Sequence, residues 1–79
     1  MIHIPNFNSL TEGEKFIVKW QYNMLGSFES ALVSVIQRAD IINLSRLILG
    51  FPEEVEAFLS FGTIKEWWPE VQKRAGIVE

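Results

Sequence analysis

The sequence contains no cysteine, one histidine and one aspartate. The missing cysteine removes disulfides, thiolate nucleophiles and sulfur-ligated zinc together, and it fits a reducing compartment. The single histidine, His3, has no serine or acid at a recognisable spacing, so no nucleophile–base pair or ligand set can be built around it. There is no HExxH, no calcium loop and no glycine-rich phosphate cradle; the five glycines are spread over expected helix ends and a capping turn. No stretch reaches the ~18 apolar residues of a membrane span. The opening MIHIPNFNSL lacks the basic start and long apolar run of a signal peptide. These absences predict a cytoplasmic, non-enzymatic protein with no catalytic residue, no metal and no cofactor.

A basic excess is missing too. Seven basic and ten acidic residues give a net charge of −3. Residues 1–50 balance Lys15, Lys19, Arg38 and Arg46 against Glu12, Glu14, Glu29 and Asp40, so the deficit lies from Phe51 onward. Phosphate backbones are repelled by such an end, which argues against nucleic acid as the partner. No helix has the strongly basic polar face of a membrane-surface helix.

Apolar material, in contrast, is plentiful. Hydrophobic residues make up 48% of the 79-residue chain, with three tryptophans, enough for the dense core that a domain of this size requires. Its pattern predicts an all-α fold: a single domain over 1–79, a compact bundle of four to five short helices behind an extended N-terminal arm at 1–10. Ile2, Ile4, Phe7 and Leu10 would lay that arm on the body.

Thr11 and Glu14 have the spacing of a capping box, which starts a helix over 12–25 that Gly26 would stop. Phe16, Ile17, Trp20 and Met24 form one stripe on it, and Val18, Tyr22 and Leu25 a second, about 100° away. The second stripe is explained either by burial on both sides or by a partner. Ser27 would cap a helix over 28–39 whose stripe is Phe28, Ala31, Leu32, Val35, Ile36 and Ala39.

Asp40 would cap a third helix over 41–49, so apolar that it must be deeply buried or part of an interface. Pro52 at a first helical position, followed by Glu53 and Glu54 at the positive end of the dipole, opens a helix over 52–61 that Gly62 would close. Thr63 to Glu66 offers another capping box, yet Pro69 interrupts it. The expectation is therefore a turn through Trp67 and Trp68 and a last helix over 69–75, ended by Gly76, with one indole packed and the other partly exposed.

The segments EKFIVKWQYNMLG, FESALVSVIQRAD and NLSRLILGFPEEVEAFLSF, with the pair Trp67-Trp68, resemble small proteins carried by bacteriophages, prophages and integrated mobile elements. The likeness covers nearly everything after residue 13. Its most specific pieces are Lys19-Trp20-Gln21-Tyr22, Gly50-Phe51-Pro52-Glu53-Glu54-Val55 and the double tryptophan; Pro69 after that pair departs from the pattern. The resemblance implies a bacterial host cell as the setting and assigns no catalytic residue.

The expected function is a protein–protein interaction module that binds, and by analogy inhibits, a host protein such as a defence factor. Its expected contact residues are Tyr22, Trp67 and Trp68 as aromatic anchors, with Glu53, Glu54 and Glu56 as an acidic rim. The three glutamates also have a purely structural explanation as dipole partners and a solvated face. A homo-oligomer burying the surplus stripes on itself is compatible with this reading. The alternative is a small helix-turn-helix-like DNA-binding regulator built on the second and third helices. Against it, the third helix has only Asn43, Ser45 and Arg46 to present to bases and phosphates.

Overall fold

A computed structural model describes residues 3–77, and every regular element among them is helical. The expected packing of Ile2 and the start of the arm lie outside the described residues. What is described of the arm is folded rather than extended. Pro5 and Asn6 turn, a 3-10 helix follows at Phe7–Ser9, and the Asn6 N–H donates to the Ala75 carbonyl at 3.0 Å. Short polar side chains favour such local closure: the Ser9 hydroxyl donates back to the Asn6 carbonyl at 2.7 Å. Ile4 and Leu10 are thereby buried.

Helix α1 is Glu12–Gln21, and its capping box is complete. The Glu14 N–H donates to Thr11 Oγ1 at 3.1 Å, and the Thr11 N–H donates to Glu14 Oε1 at 2.9 Å. The helix stops four residues earlier than its apolar pattern predicts, because Asn23 takes φ 57°, the left-handed conformation in which asparagine is tolerated. Gly26 is therefore the N-cap of α2, Ser27–Arg38, and Ser27 its first residue rather than its cap.

Helix α3 is Ile41–Gly50, capped as expected by Asp40, whose carboxylate accepts the Asn43 N–H at 2.8 Å. Helix α4, Pro52–Thr63, runs through Gly62, and the Thr63 hydroxyl bonds back to the Leu59 carbonyl at 2.7 Å. Helix α5 is Trp67–Ala75, two residues longer at its start than predicted. Pro69 is its third residue, where the missing N–H has no intrahelical acceptor in any case, so proline does not delay the helix. Gly76 at φ 80° ends it, with Gly76 N–H to Lys73 O at 3.2 Å and Ile77 N–H to Gln72 O at 3.0 Å.

Helix α1 is buried on both sides. One cluster joins its Phe16 and Ile17 to Leu32, Val33 and Ile36 of α2 and Val55 and Ala57 of α4. The other joins Val18 to Ile4, Leu10, Val71 and Ala75. The second stripe of α1 thus meets its own chain: Val18 is fully buried, Tyr22 and Leu25 half-buried. Helices α1 and α4 approach closely at Gly13, where a Cβ would stand 2.4 Å from the Glu53 carbonyl oxygen and 2.9 Å from the Ala57 Cβ.

One ion pair ties the start of α1 to the end of α5. Arg74 Nη1 donates to Glu14 Oε1 at 3.1 Å and Nη2 to Glu14 Oε2. The Arg74 hydrogen bond holds the Glu14 carboxyl below its ordinary value, against the opposing effect of burial and with help from the Thr11 N–H. A depressed carboxylate pKa gives stability that is complete above the ordinary carboxylate range and is lost as pH falls through the folded value. Arg74→Met should therefore cost ~1–2 kcal/mol at neutral pH, less than a fully buried pair because the arginine side chain is 45% exposed. Urea midpoints measured against pH should show this difference closing as the solution is acidified.

Candidate protein-contact surface

Of the six residues expected to bind a partner, the three aromatic ones also pack within the fold. Trp67 and Trp68 are both half-buried in the first turn of α5 and border both clusters. Phe61 meets them edge-on, with ring centroids 6.5 Å from Trp67 and 5.7 Å from Trp68. Tyr22 packs 6.4 Å from Trp68, and its hydroxyl accepts from Gln72 Nε2 at 3.4 Å. Each indole makes ring contacts and each remains partly exposed, so the expected partial exposure is shared by both rather than confined to one. Starting α5 at Trp67 sends the two indoles about 100° apart, and both directions meet packed side chains.

The acidic residues sit where the dipole argument put them. Glu53 and Glu54 are in the first turn of α4, and Glu53 and Glu56 share an open groove of about 340 Å³ with Thr11, Ser60 and Trp67. Tyr22 and Trp68 do not reach that groove. The basic pair Lys15 and Lys19 is neutralised, by Glu12 at 3.5 Å and by Glu29 at 2.8 Å.

Exposed apolar surface gathers elsewhere, on the hairpin of α2 and α3. Only Ala39 and Asp40 separate the two helices, and the Phe28 ring at the start of α2 lies 6.0 Å from Phe51, just beyond the end of α3. The chain therefore turns back between them, bringing Phe28 to Phe51. Phe28 is 65% exposed, Val35 49%, Ile41 81%, Ile42 65% and Leu49 84%. These are large apolar side chains left in water on two consecutive helices, more than scattered single exposures would give.

The sequence pattern of α2 concealed this. Its apolar arc is wider than one face, and the core takes the half carrying Leu32, Val33 and Ile36, leaving Phe28, Ala31 and Val35 outside. The stripe expected to face the core is thus divided. Burial of Leu32, Val33 and Ile36 sets the rotation, and the Glu29 carboxylate beside Lys19 of α1 is consistent with it. On α3 the half-buried Leu44, Leu47 and Ile48 face the core, and no residue of the helix is fully buried, so of the two expected explanations deep burial is excluded.

The hairpin's exposed charges are Arg38, Asp40 and Arg46; the Asp40 side chain caps α3, and neither guanidinium has an ion-pair partner among the described residues. Among the described residues no three histidines, cysteines or acids converge as a metal site would require, and no helix is long and apolar enough to cross a membrane. The arrangement offers exposed apolar side chains on α2 and α3 with Arg38 and Arg46 exposed among them.

No known protein family matches the chain, and comparison with curated proteins and with solved structures finds no match.

Because its side chain is in water, Leu49→Glu should shift stability by no more than ~0.5 kcal/mol, which a thermal melt would show as a midpoint within ~2–4 °C of wild type.

Proposed function

We propose that this chain is a non-enzymatic protein-interaction module whose contact surface is the apolar face of the α2–α3 hairpin. The observation that carries this reading is the exposure of Phe28, Val35, Ile41, Ile42 and Leu49 on one helical hairpin. Burial of such side chains at ~25 cal/mol per Å² is the main force available to a partner, and Arg38 and Arg46 would give the contact its orientation. The face that a DNA reader would insert between phosphates carries three large aliphatic side chains on α3 and one guanidinium, which supports a protein partner over a nucleic acid.

The likeness to small phage and mobile-element proteins supports a bacterial host protein as that partner, with inhibition of a host defence factor as the activity. Capture of partners from bacterial lysate tests the reading when wild type is run beside Ile41→Glu and Leu49→Glu, with nuclease and high salt present. The expected result is a protein retained by the wild type and lost by at least tenfold with either variant. Material lost with nuclease or salt instead would assign the chain to nucleic acid.

A further inference from the structure

The two ends of the chain are packed against each other. Among the described residues, the second apolar cluster takes its buried members from the arm (Ile4 and Leu10), from α5 (Val71 and Ala75) and from Val18 of α1. The first cluster takes its buried members from α1, α2 and α4, and α5 reaches it through the half-buried Trp67 and Trp68. Helices α1, α2 and α4 therefore keep a core of their own when the ends leave. Either end without the other loses much of what buries it.

Backbone contacts join the ends directly. The Asn6 N–H donates at 3.0 Å to the carbonyl of Ala75, the last residue of α5, where no intrahelical donor is left. Pro5 and Asn6 close on Gly76 so tightly that a Cβ there would stand 3.3 Å from Asn6 Nδ2 and 3.4 Å from the Pro5 ring. Both ends join the other helices through exposed chain, the arm at Thr11 and α5 at Ile64, Lys65 and Glu66. The contacts that cross include the Arg74–Glu14 pair, Gln72 and Trp68 on Tyr22, and Phe61 on the two indoles. When Arg74 leaves, Glu14 still accepts the Thr11 N–H, so the start of α1 stays capped.

We propose that residues 3–10 and α5 form one clasp, which opens and closes as a unit over Val18 and Tyr22 while α1, α2 and α4 stay folded. Opening uncovers the second apolar stripe of α1, of which the closed chain buries Val18 and half-buries Tyr22. The proposal is independent of the hairpin face and of what binds there. A unit that opens below the cost of global unfolding is recognised by its amides, which share one free energy of opening and one urea slope.

Hydrogen exchange of the full chain, followed residue by residue by NMR in urea below the unfolding transition, tests this. The Asn6 and Leu10 amides of the arm and the Val71 and Ala75 amides of α5 should share one free energy and one slope. All four should be less protected than the Ile17 and Val18 amides of α1 by roughly tenfold or more. Ile4→Val, a conservative change in the arm, should lower the protection of the α5 amides by the same factor as that of the arm, about three- to tenfold. Amides of α5 as protected as those of α1 overturn the proposal. So do unequal slopes for arm and α5, or an Ile4→Val effect confined to the arm.

Discussion

Trp68→Ala is expected to lower stability by ~3 kcal/mol, within the range found for removing a packed aromatic side chain and below its top because the indole is only half-buried. The ring stands between Tyr22, just beyond the end of α1, and Phe61 of α4, and it borders both apolar clusters. Its loss would open a gap at the point where α5 is fastened to the rest. Against a total of ~5–8 kcal/mol for a domain of this size, that is a large share, and the melting temperature should fall by well over 10 °C at ~4–8 °C per kcal/mol. Trp68→Phe, which keeps an aromatic ring in place, should recover much of the loss. A thermal melt of the three proteins decides it; Trp68→Ala melting with the wild type would return that indole to the surface as an anchor.

Gly13→Ala is the second large effect, and its sign is the informative part. In an unobstructed helix this change gains up to ~1 kcal/mol, since alanine is the best helix former and glycine among the worst. Here the new methyl would stand 2.4 Å from the Glu53 carbonyl oxygen, a backbone atom held inside α4. The helices must separate, as in other overpacked cores, at ~1–3 kcal/mol. They separate along the α1–α4 contact, on which Phe16, Ile17, Val55 and Ala57 depend. The net expectation is a loss of ~2 kcal/mol, readable as a lower urea midpoint, whereas a gain would mean that α1 and α4 do not touch at Gly13.

The helices themselves were legible because their ends are written in short-range chemistry. Thr11 with Glu14, Asp40, Pro52 and Gly76 each act within a turn of their own position, and the structure uses all four as the sequence predicts. Asn23 and Pro69 misled for local reasons as well. A left-handed asparagine ended α1 before the glycine could, and a proline in a first turn was harmless where an interior one would not have been.

What could not be read was orientation. A wide apolar arc such as that of α2 says that part of it faces inward and is silent about which part. That is decided by contacts distant in sequence, here the packing of Leu32, Val33 and Ile36 in the first cluster. The packing of the tryptophans was hidden in the same way, because the partners that pack on them, Tyr22 and Phe61, come from elsewhere in the chain. Surplus apolar surface was a correct expectation for α3. The exposed side chains of α2, Phe28 and Val35, were not foreseen as part of it.

The central claim is that the hairpin face is free surface held for contact while the aromatic residues at the head of α5 are structural. Urea unfolding of Leu49→Glu beside Trp68→Ala, followed by far-ultraviolet circular dichroism at a concentration low enough to disfavour self-association, tests both halves at once. The account predicts a Leu49→Glu midpoint within a few tenths molar of wild type, and a Trp68→Ala midpoint lower by more than ~1 M. A Leu49→Glu protein that unfolds as early as Trp68→Ala, or earlier, would contradict it, because the hairpin face would then belong to the core.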